Sequence, residues 1–541
     1  MNREFGDFQT PPALVDAILD CLSSSGNVWS RVLEPTCGRG NFIEGLLKQA
    51  KPPCEIQAIE IQEAHLDIAK RIAEQSLVVR VVIQKANLFD LNLHQDLQWS
   101  ITGPLLVVGN PPWVTNSELG ILGSENLPHK KNIKGLRGIE ARTGESNFDI
   151  TEYIWLKLIK ELASEQPTIA LLCKTSVARN VLQYAFDMKL PITSASLRKI
   201  DAKKWFGAAV EACLFQVEIG SGEQQYKAAV YQDLFATKPE FTMAIVGKQL
   251  VGDMKAYEQV ATTDGVCPIS WRQGLKHDAA SVMELTYDNT DSLRNKLDET
   301  VIVEHDYIYP LLKSSDLFHF GKSRPQKAVI VTQKRLGEDT YLLRQNSPQL
   351  WSYLTTHSNI FEKRKSSIYL NRPPFAIFGI GDYSFAPYKV AVSGLHKIPR
   401  FRAIGPVDGR PVMLDDTCYF IACYSPKQAA FLASLLNDPL CLNFVNSMIF
   451  TGSKRPITKK FLQRIDLRSL FNKIERQSLL LRAISELENL GIISNQREVF
   501  WSSLDEFLVE YSKYTNHTSR TQYAMDILFP GIAAFGNPST L

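Results

Sequence analysis

Four short apolar runs, each closing on an acid or an amide, constrain this chain more than anything else in it. They are Val32–Glu34, Glu55–Glu60, Leu77–Ala86 with Asn87 behind it, and Pro104–Gly109 with Asn110 behind it. Helical segments lie between them, the first from Asn41 to about Gln49. Strands that alternate with helices predict a parallel α/β sheet. Ligands of such sheets sit beyond the carboxyl ends of the strands. The spacing therefore predicts one crevice on which Glu34, Glu60, Asn87 and Asn110 converge.

The first strand end opens a tight loop, Glu34-Pro35-Thr36-Cys37-Gly38-Arg39-Gly40, which runs into a helix at Asn41-Phe42. Gly38 and Gly40 let the backbone approach a ligand closely. The helix N-terminus behind them favours an anionic group such as a carboxylate. No Gly-Lys-Ser/Thr follows, so this is not a phosphate loop, and the third glycine of the dinucleotide fingerprint is missing. An acid at the end of the second strand, here Glu60, is placed to hold ribose hydroxyls. Asn87 is placed to contact an adenine edge.

The fourth strand ends in Asn110-Pro111-Pro112-Trp113. Asn-Pro-Pro also suits an ordinary turn. At the tip of such a strand it makes a polar clamp as well. The Asn110 side-chain oxygen and the Pro111 carbonyl can each accept one hydrogen of a planar amino group. Two prolines hold the backbone extended and remove the N–H donors that would oppose an incoming amine. Trp113 adds a flat face for a base.

These motifs in this order resemble the gamma-order, Taq-type DNA adenine-N6 methyltransferases of restriction–modification systems. The resemblance is specific over roughly residues 5–220. Phe8-Gln9-Thr10-Pro11-Pro12 is similar to the family's opening motif, Glu34–Phe42 to its cofactor loop, Glu60 to its ribose acid, and Asn110–Trp113 to its catalytic motif. Asn147-Phe148-Asp149, opening an apolar helix through Tyr153, Leu156, Ile159 and Lys160, resembles the helix after the catalytic strand. Trp205-Phe206-Gly207 before Val210–Val217 resembles the late motif whose Phe stacks on an extruded base.

The resemblance implies a Rossmann-like class I methyltransferase domain with a mostly parallel seven-stranded sheet, followed by an α+β target-recognition domain and a helical tail. It implies S-adenosyl-L-methionine as cofactor, held by Thr10, Pro11, Glu34, Pro35, Cys37, Gly38, Gly40, Glu60, Ile61, Asn87, Leu88 and Asn110. Asn110, Pro111, Pro112 and Trp113 would be catalytic, with Trp113 and Phe206 stacking the target base. Asn87 stands where the family usually has Asp, and Trp113 where it more often has Tyr or Phe.

Length and composition set the remaining bounds. At 541 residues the chain should hold more than one domain. A hydrophobic fraction of 45% with 22% charged residues is that of a globular protein. No apolar run nears the roughly 18 residues of a membrane span, and no signal peptide is evident. Nine scattered cysteines without a CxxC pair argue against zinc or a disulfide framework, so no metal is expected. They fit a reducing compartment, and the resemblance implies a prokaryotic cytoplasm beside the nucleoid.

Net charge is only +3, but cations cluster. His129–Arg137 carries Lys130, Lys131, Lys134 and Arg137 just after the catalytic tetrapeptide. Further clusters are Lys363–Lys365, Lys397–Arg402, and Lys454-Arg455 with Lys459-Lys460. Such groups position a duplex through its phosphates without reading sequence, so double-stranded DNA is the expected partner.

The expected organisation is a catalytic domain over 1–225, a connector over 226–265, a recognition domain over 266–468 and a helical region with a loose tail over 469–541. Ile269–Gly274, Tyr309–Lys313 and Asp382–Phe385 resemble segments of recognition domains. Ala328–Gln333, Phe375–Ile380 and Thr417–Cys423 read as strands, and Pro426–Asn437 and Pro439–Met448 as helices. No large block precedes Phe5, so an endonuclease is expected on a separate polypeptide, or not at all if the enzyme is an orphan. Competing readings are methylation of a guanine in RNA, of a protein glutamine or of cytosine N4, and a silent specificity subunit. Cytosine-N4 enzymes typically carry Ser in place of Asn110. The joint presence of Glu34, Glu60 and Asn110 argues against a silent subunit.

Overall fold

The computed structural model describes residues 9–24, 26–114, 149–287, 292–319, 325–450, 452–492 and 501–515. Phe8, Asn147, Phe148, the basic loop with Lys130, Lys131, Lys134 and Arg137, and the segment after Thr518 lie outside them. Two compact units divide the chain, residues 1–255 and 256–541.

In the first unit the runs that end at Glu34, Glu60 and Gly109 become strands buried along their whole length, because the sheet is covered on both faces there, while the third run forms an edge strand that is only partly buried. The elements in order are α1 (Pro12–Ser23), β1 (Arg31–Glu34), α2 (Asn41–Leu47), β2 (Glu55–Glu60), α3 (Glu63–Ala73), β3 (Arg80–Lys85), α4 (Leu93–Asp96), β4 (Leu105–Gly109), α5 (Ile150–Glu161), β5 (Thr168–Lys174), α6 (Thr175–Asp187), β6 (Ile192–Ile200), α7 (Ala202–Phe206) and β7 (Ala212–Ile219). Then come β8 (Lys227–Tyr231), β9 (Phe241–Val246) and β10 (Gln249–Val251). The strands lie in the order β10-β9-β8-β6-β7-β5-β4-β1-β2-β3. Strands β3, β2, β1, β4 and β5 run parallel, and β7 enters antiparallel between β5 and β6.

The seven-stranded core expected from the resemblance is present and is longer by three strands. Residues 226–265, expected to be a connector, supply β8, β9 and β10 to that sheet. Their periodicity is weak because they lie towards the sheet's edge, where only part of each face is covered. At the opposite edge, β3 begins at Arg80 rather than Leu77. Leu77 and Val78 stand almost fully exposed ahead of it.

The second unit contains a four-stranded and a five-stranded sheet among its described residues. The first orders β11 (Arg272–Gln273), β19 (Cys418–Cys423), β16 (Tyr388–Ser393) and β17 (Arg402–Ile404). The second orders β13 (Leu293–Arg294), β12 (Glu284–Tyr287), β15 (Lys327–Ile330), β14 (Ile308–Leu312) and β18 (Met413–Leu414). Helices Pro426–Leu436, Pro439–Met448, Leu467–Lys473, Arg476–Asn489 and Leu504–Thr515 follow. Asp438 caps the second of these through Leu440 N at 2.9 Å, which explains the break at Asp438-Pro439. Phe375–Ile380 is not a strand. Its one ladder pairing is an isolated bridge from Phe378 to Lys276, and side chains hold the rest, Thr332 Oγ1 donating to the Phe375 carbonyl at 2.8 Å and Ile377 N to Gln333 Oε1 at 2.9 Å. No described helix is long and apolar enough to cross a membrane.

Candidate active site

The strand ends meet as the spacing predicts. β1 and β4 are parallel neighbours, so Glu34 and Asn110 emerge at one edge of the sheet. A Cβ on Gly109 would sit 3.6 Å from the Glu34 side chain. A cavity of about 920 Å³, its open mouth included, runs along this edge. Its lining includes Thr10, Glu34, Pro35, Cys37, Gly38, Glu60, Ile61, Asn87, Leu88, Asn110 and Pro112.

The glycine loop is shaped by its neighbours. Gly38 has φ +53°, and its N–H donates to Glu60 Oε2 at 2.8 Å. Gln62 N donates to the other oxygen, Glu60 Oε1, at 2.7 Å. Cys37 N is bonded to the Ile59 carbonyl at 2.9 Å, tying the loop to the end of β2. The opening segment docks on the same loop. Arg39 N donates to Gln9 Oε1 at 3.1 Å, and Asn41 Nδ2 to the Thr10 carbonyl at 2.7 Å.

Glu34 is 2% exposed, and its Oε2 has no hydrogen-bond partner. Burial, and then the nearby Glu60 charge, push its carboxyl well above the usual carboxylate range. Such a group calls for a cation. Cys37 is buried beside both acids, which drives its thiol far up and leaves it an inert packing residue. At the third strand end, Asn87 Oδ1 accepts from Phe89 N at 3.0 Å. Asn87 also lines the cavity.

Two residues expected to hold the cofactor do not line this space. Pro11 is the N-cap of α1, and its carbonyl accepts from Leu14 and Val15 N. Gly40 is the left-handed N-cap of α2, where a Cβ would press on Ala69 of α3 at 3.2 Å. The lining residues not expected include Thr36, Phe42, Gln62, His65, Phe89 and Ile154. They come from helix faces and loop interiors, for which the strand-end signal says nothing.

Trp113 is 6% exposed and packs into the core. Phe206 meets it edge to face, with centroids 5.2 Å apart and planes at 70°. Two rings arranged to sandwich a base would be parallel and about 7 Å apart, twice the ordinary van der Waals contact between carbons. Trp113 and Phe206 therefore contact each other instead of framing a slot. Among the expected phosphate contacts, Lys454 is exposed, but Arg455 is engaged by Asp416 Oδ2 at 2.9 Å and the Asp416 carbonyl at 2.7 Å. Arg364, from another cationic cluster, lies 3.7 Å over the Tyr369 ring and donates to the Ala376 carbonyl at 2.7 Å. Both arginines are half-buried and tie neighbouring segments of the fold together.

The fold and the cavity define a class I methyltransferase. In a comparison with solved structures, the type IIL restriction–modification enzyme MmeI, in complex with DNA, matches 98% of this chain and 73% of its own. The TM-score is 0.54 and the identity 13%, a likeness of fold. The type II methyltransferase M.NspV of Nostoc sp. is 37% identical over 475 residues, which is 86% of this chain and 97% of that protein. M.VspI, a type II methyltransferase of Vibrio sp., is 27% identical over 113 residues, 21% of this chain and 26% of that protein. No family model matches the chain. On the identity to M.NspV, the chain belongs to the type II methyltransferases, DNA methyltransferases of the restriction–modification kind that use S-adenosyl-L-methionine. The residues present fit that cofactor. It carries a sulfonium and an ammonium that suit the buried Glu34 oxygen, and ribose hydroxyls and an adenine that suit Glu60 and Asn87.

Proposed function

We propose that this chain transfers a methyl group to N6 of an adenine extruded from duplex DNA. The cofactor, when bound, supplies an electrophilic methyl group. The observation that carries the reading is the presence of Asn110 and Pro112 in the lining of the cavity that also holds Glu34, Glu60 and Asn87. An amine turned out of the base stack to this strand tip would be offered two acceptors, Asn110 Oδ1 from the cavity lining and the carbonyl of Pro111, a buried residue just behind it. Accepting both hydrogens favours a pyramidal nitrogen and localises its lone pair, which is otherwise spread into the ring. The proton can leave after transfer, so the residues need supply no strong base. Positioning is then the main contribution, and well-oriented reactants can lower a barrier by about 7–11 kcal/mol.

Glu34, Glu60 and Asn87 are assigned to the cofactor and Trp113 to a face of the base. Phe206 would have to leave its edge contact with Trp113 before it could cover the other face. Residues 266–468 are assigned to target recognition, with Lys454 at a phosphate. A cognate endonuclease on a separate polypeptide belongs to the same reading, as does an orphan enzyme without one. Asn rather than Ser at position 110 favours adenine over cytosine.

The test is modified-base sequencing, with digestion resistance, of DNA from cells expressing the parent or Asn110→Ala. The parent should yield N6-methyladenine in one sequence context. Asn110→Ala should yield none, while purified variant binds the cofactor within a few-fold of the parent. N4-methylcytosine, or bare DNA beside methylated RNA or protein, would overturn the reading.

A further inference from the structure

We propose that Thr151, Lys174 and Asp149 are positioning residues, which lock the carbonyls after Pro111 and so aim the Pro111 carbonyl at the substrate amine. The inference rests on the reading above and deepens it. Pro111 and Pro112 carry no N–H, so these two residues cannot be held through backbone donors. Their carbonyls are their remaining main-chain handles.

Three consecutive carbonyls are each taken by a donor from an adjacent element. Thr151 Oγ1 donates to the Pro112 carbonyl at 2.6 Å. Lys174 Nζ, at the end of β5, donates to the Trp113 carbonyl at 3.0 Å. Ile150 N donates to the Val114 carbonyl at 2.9 Å. Among the described residues, no donor is recorded at the Pro111 carbonyl.

Asp149 joins the donors into one unit. Its carboxylate accepts from Lys174 Nζ at 2.7 Å and from Thr151 N at 3.1 Å, capping α5. Both charged side chains are largely buried, at 22% and 10% exposure. Lys174 is thereby held in one rotamer and its charge is balanced. Without Asp149 a lone cation would stand beside a site that must admit a cationic cofactor. Pro112, in the middle of the clamped stretch, also lines the cavity, so a shift of these carbonyls is a shift of the cavity wall. The prolines set φ, but they do not by themselves fix which way each carbonyl points. The clamp does that.

The test uses the full-length protein with Thr151→Val, Thr151→Ser and Lys174→Met. Thr151→Val keeps shape and removes only the donor. Single-turnover methylation, cofactor affinity by calorimetry and the thermal midpoint are read together. Thr151→Val and Lys174→Met should lower the transfer rate by about 10- to 100-fold, the scale of a displacement near 1 Å. Cofactor affinity should stay near the parental value in both variants, the midpoint should stay near it in Thr151→Val, and Lys174→Met should lose midpoint because Asp149 is left without its cation. Thr151→Ser should recover most of the rate. Rates within about two-fold of the parent would overturn the clamp, as would a rate loss in Thr151→Val that follows an equal loss of midpoint or cofactor affinity. The methylated base is identified in the same reactions. A parent that methylates a different amine counts against the adenine reading and leaves the clamp standing.

Discussion

At the scale of single residues, Glu34 shows function placed above stability. Its carboxyl is buried, one oxygen lacks a partner, and Glu60 lies close enough to raise it further. A group raised in the folded state holds its proton more tightly there than in the unfolded chain. Its stabilising contribution is present in acid and is lost as pH rises from the ordinary carboxylate range through the raised value. Glu34→Gln should therefore raise the melting midpoint of the cofactor-free protein at neutral pH and weaken cofactor binding. Parental binding should tighten with pH as the carboxyl ionises to meet the cationic ligand. The heat of binding should vary with the buffer's ionisation enthalpy, and this dependence should vanish in Glu34→Gln. Calorimetry in two buffers checks both points. Asn87 differs in kind. Its oxygen accepts from Phe89 N, and the remaining side-chain group is an amide that donates, where an Asp would offer a second acceptor.

At the scale of elements, the segment Ile269–Gly274 explains itself only in three dimensions. Trp271 is wholly buried and Gly274 N donates to the Cys418 carbonyl at 3.1 Å. A Cβ on Gly274 would run into the carbonyls of Leu414 and Asp415, and one on Gly379 into the carbonyl of Gly274. Three segments cross here backbone against backbone. Gly274→Ala should destabilise the second unit by about 3 kcal/mol, the upper range for overpacking, as read by denaturant unfolding.

Lys389, in β16, is a second such case. It is fully buried, donates to the Ala386 carbonyl at 2.8 Å, and burial lowers it to about 7. Between that value and the ordinary lysine range the unfolded chain holds a proton the folded one lacks, so stability climbs with pH there. Lys389→Met should stabilise the second unit, and its advantage should be larger near pH 6 than near pH 9. An equal gain at both would contradict the assignment.

At the scale of the molecule, the chain divides into two units with separate cores, and the cavity belongs wholly to the first. A ligand that binds only the folded state stabilises it by about 2.7 kcal/mol at a hundred-fold excess over Kd. Saturating cofactor should raise the first unit's unfolding transition and leave the second's in place, which scanning calorimetry can resolve. An upward shift of both transitions would mean that the units unfold as one.

The sequence by itself determined the sheet core and the polar groups at its edge. Alternating strands and helices admit few arrangements, and strand ends are where such a sheet leaves its ligands. Hence Glu34, Glu60, Asn87 and Asn110 were legible, each closing an apolar run. Tertiary structure alone decided what holds them. The donors that grip Pro112 and Trp113 come from Thr151 and Lys174, roughly 40 to 60 positions away in the chain. Arg455 and Arg364 look like free surface cations in the sequence and are half-buried and tied to partners in the fold. Gly40 reads as part of a ligand loop and serves helix packing. The extra strands β8, β9 and β10 hide in weakly patterned text because an edge buries too little of each face to impose a period. Local pattern records which face of an element is covered, while partners distant along the chain are chosen only when folding brings their donors and acceptors together.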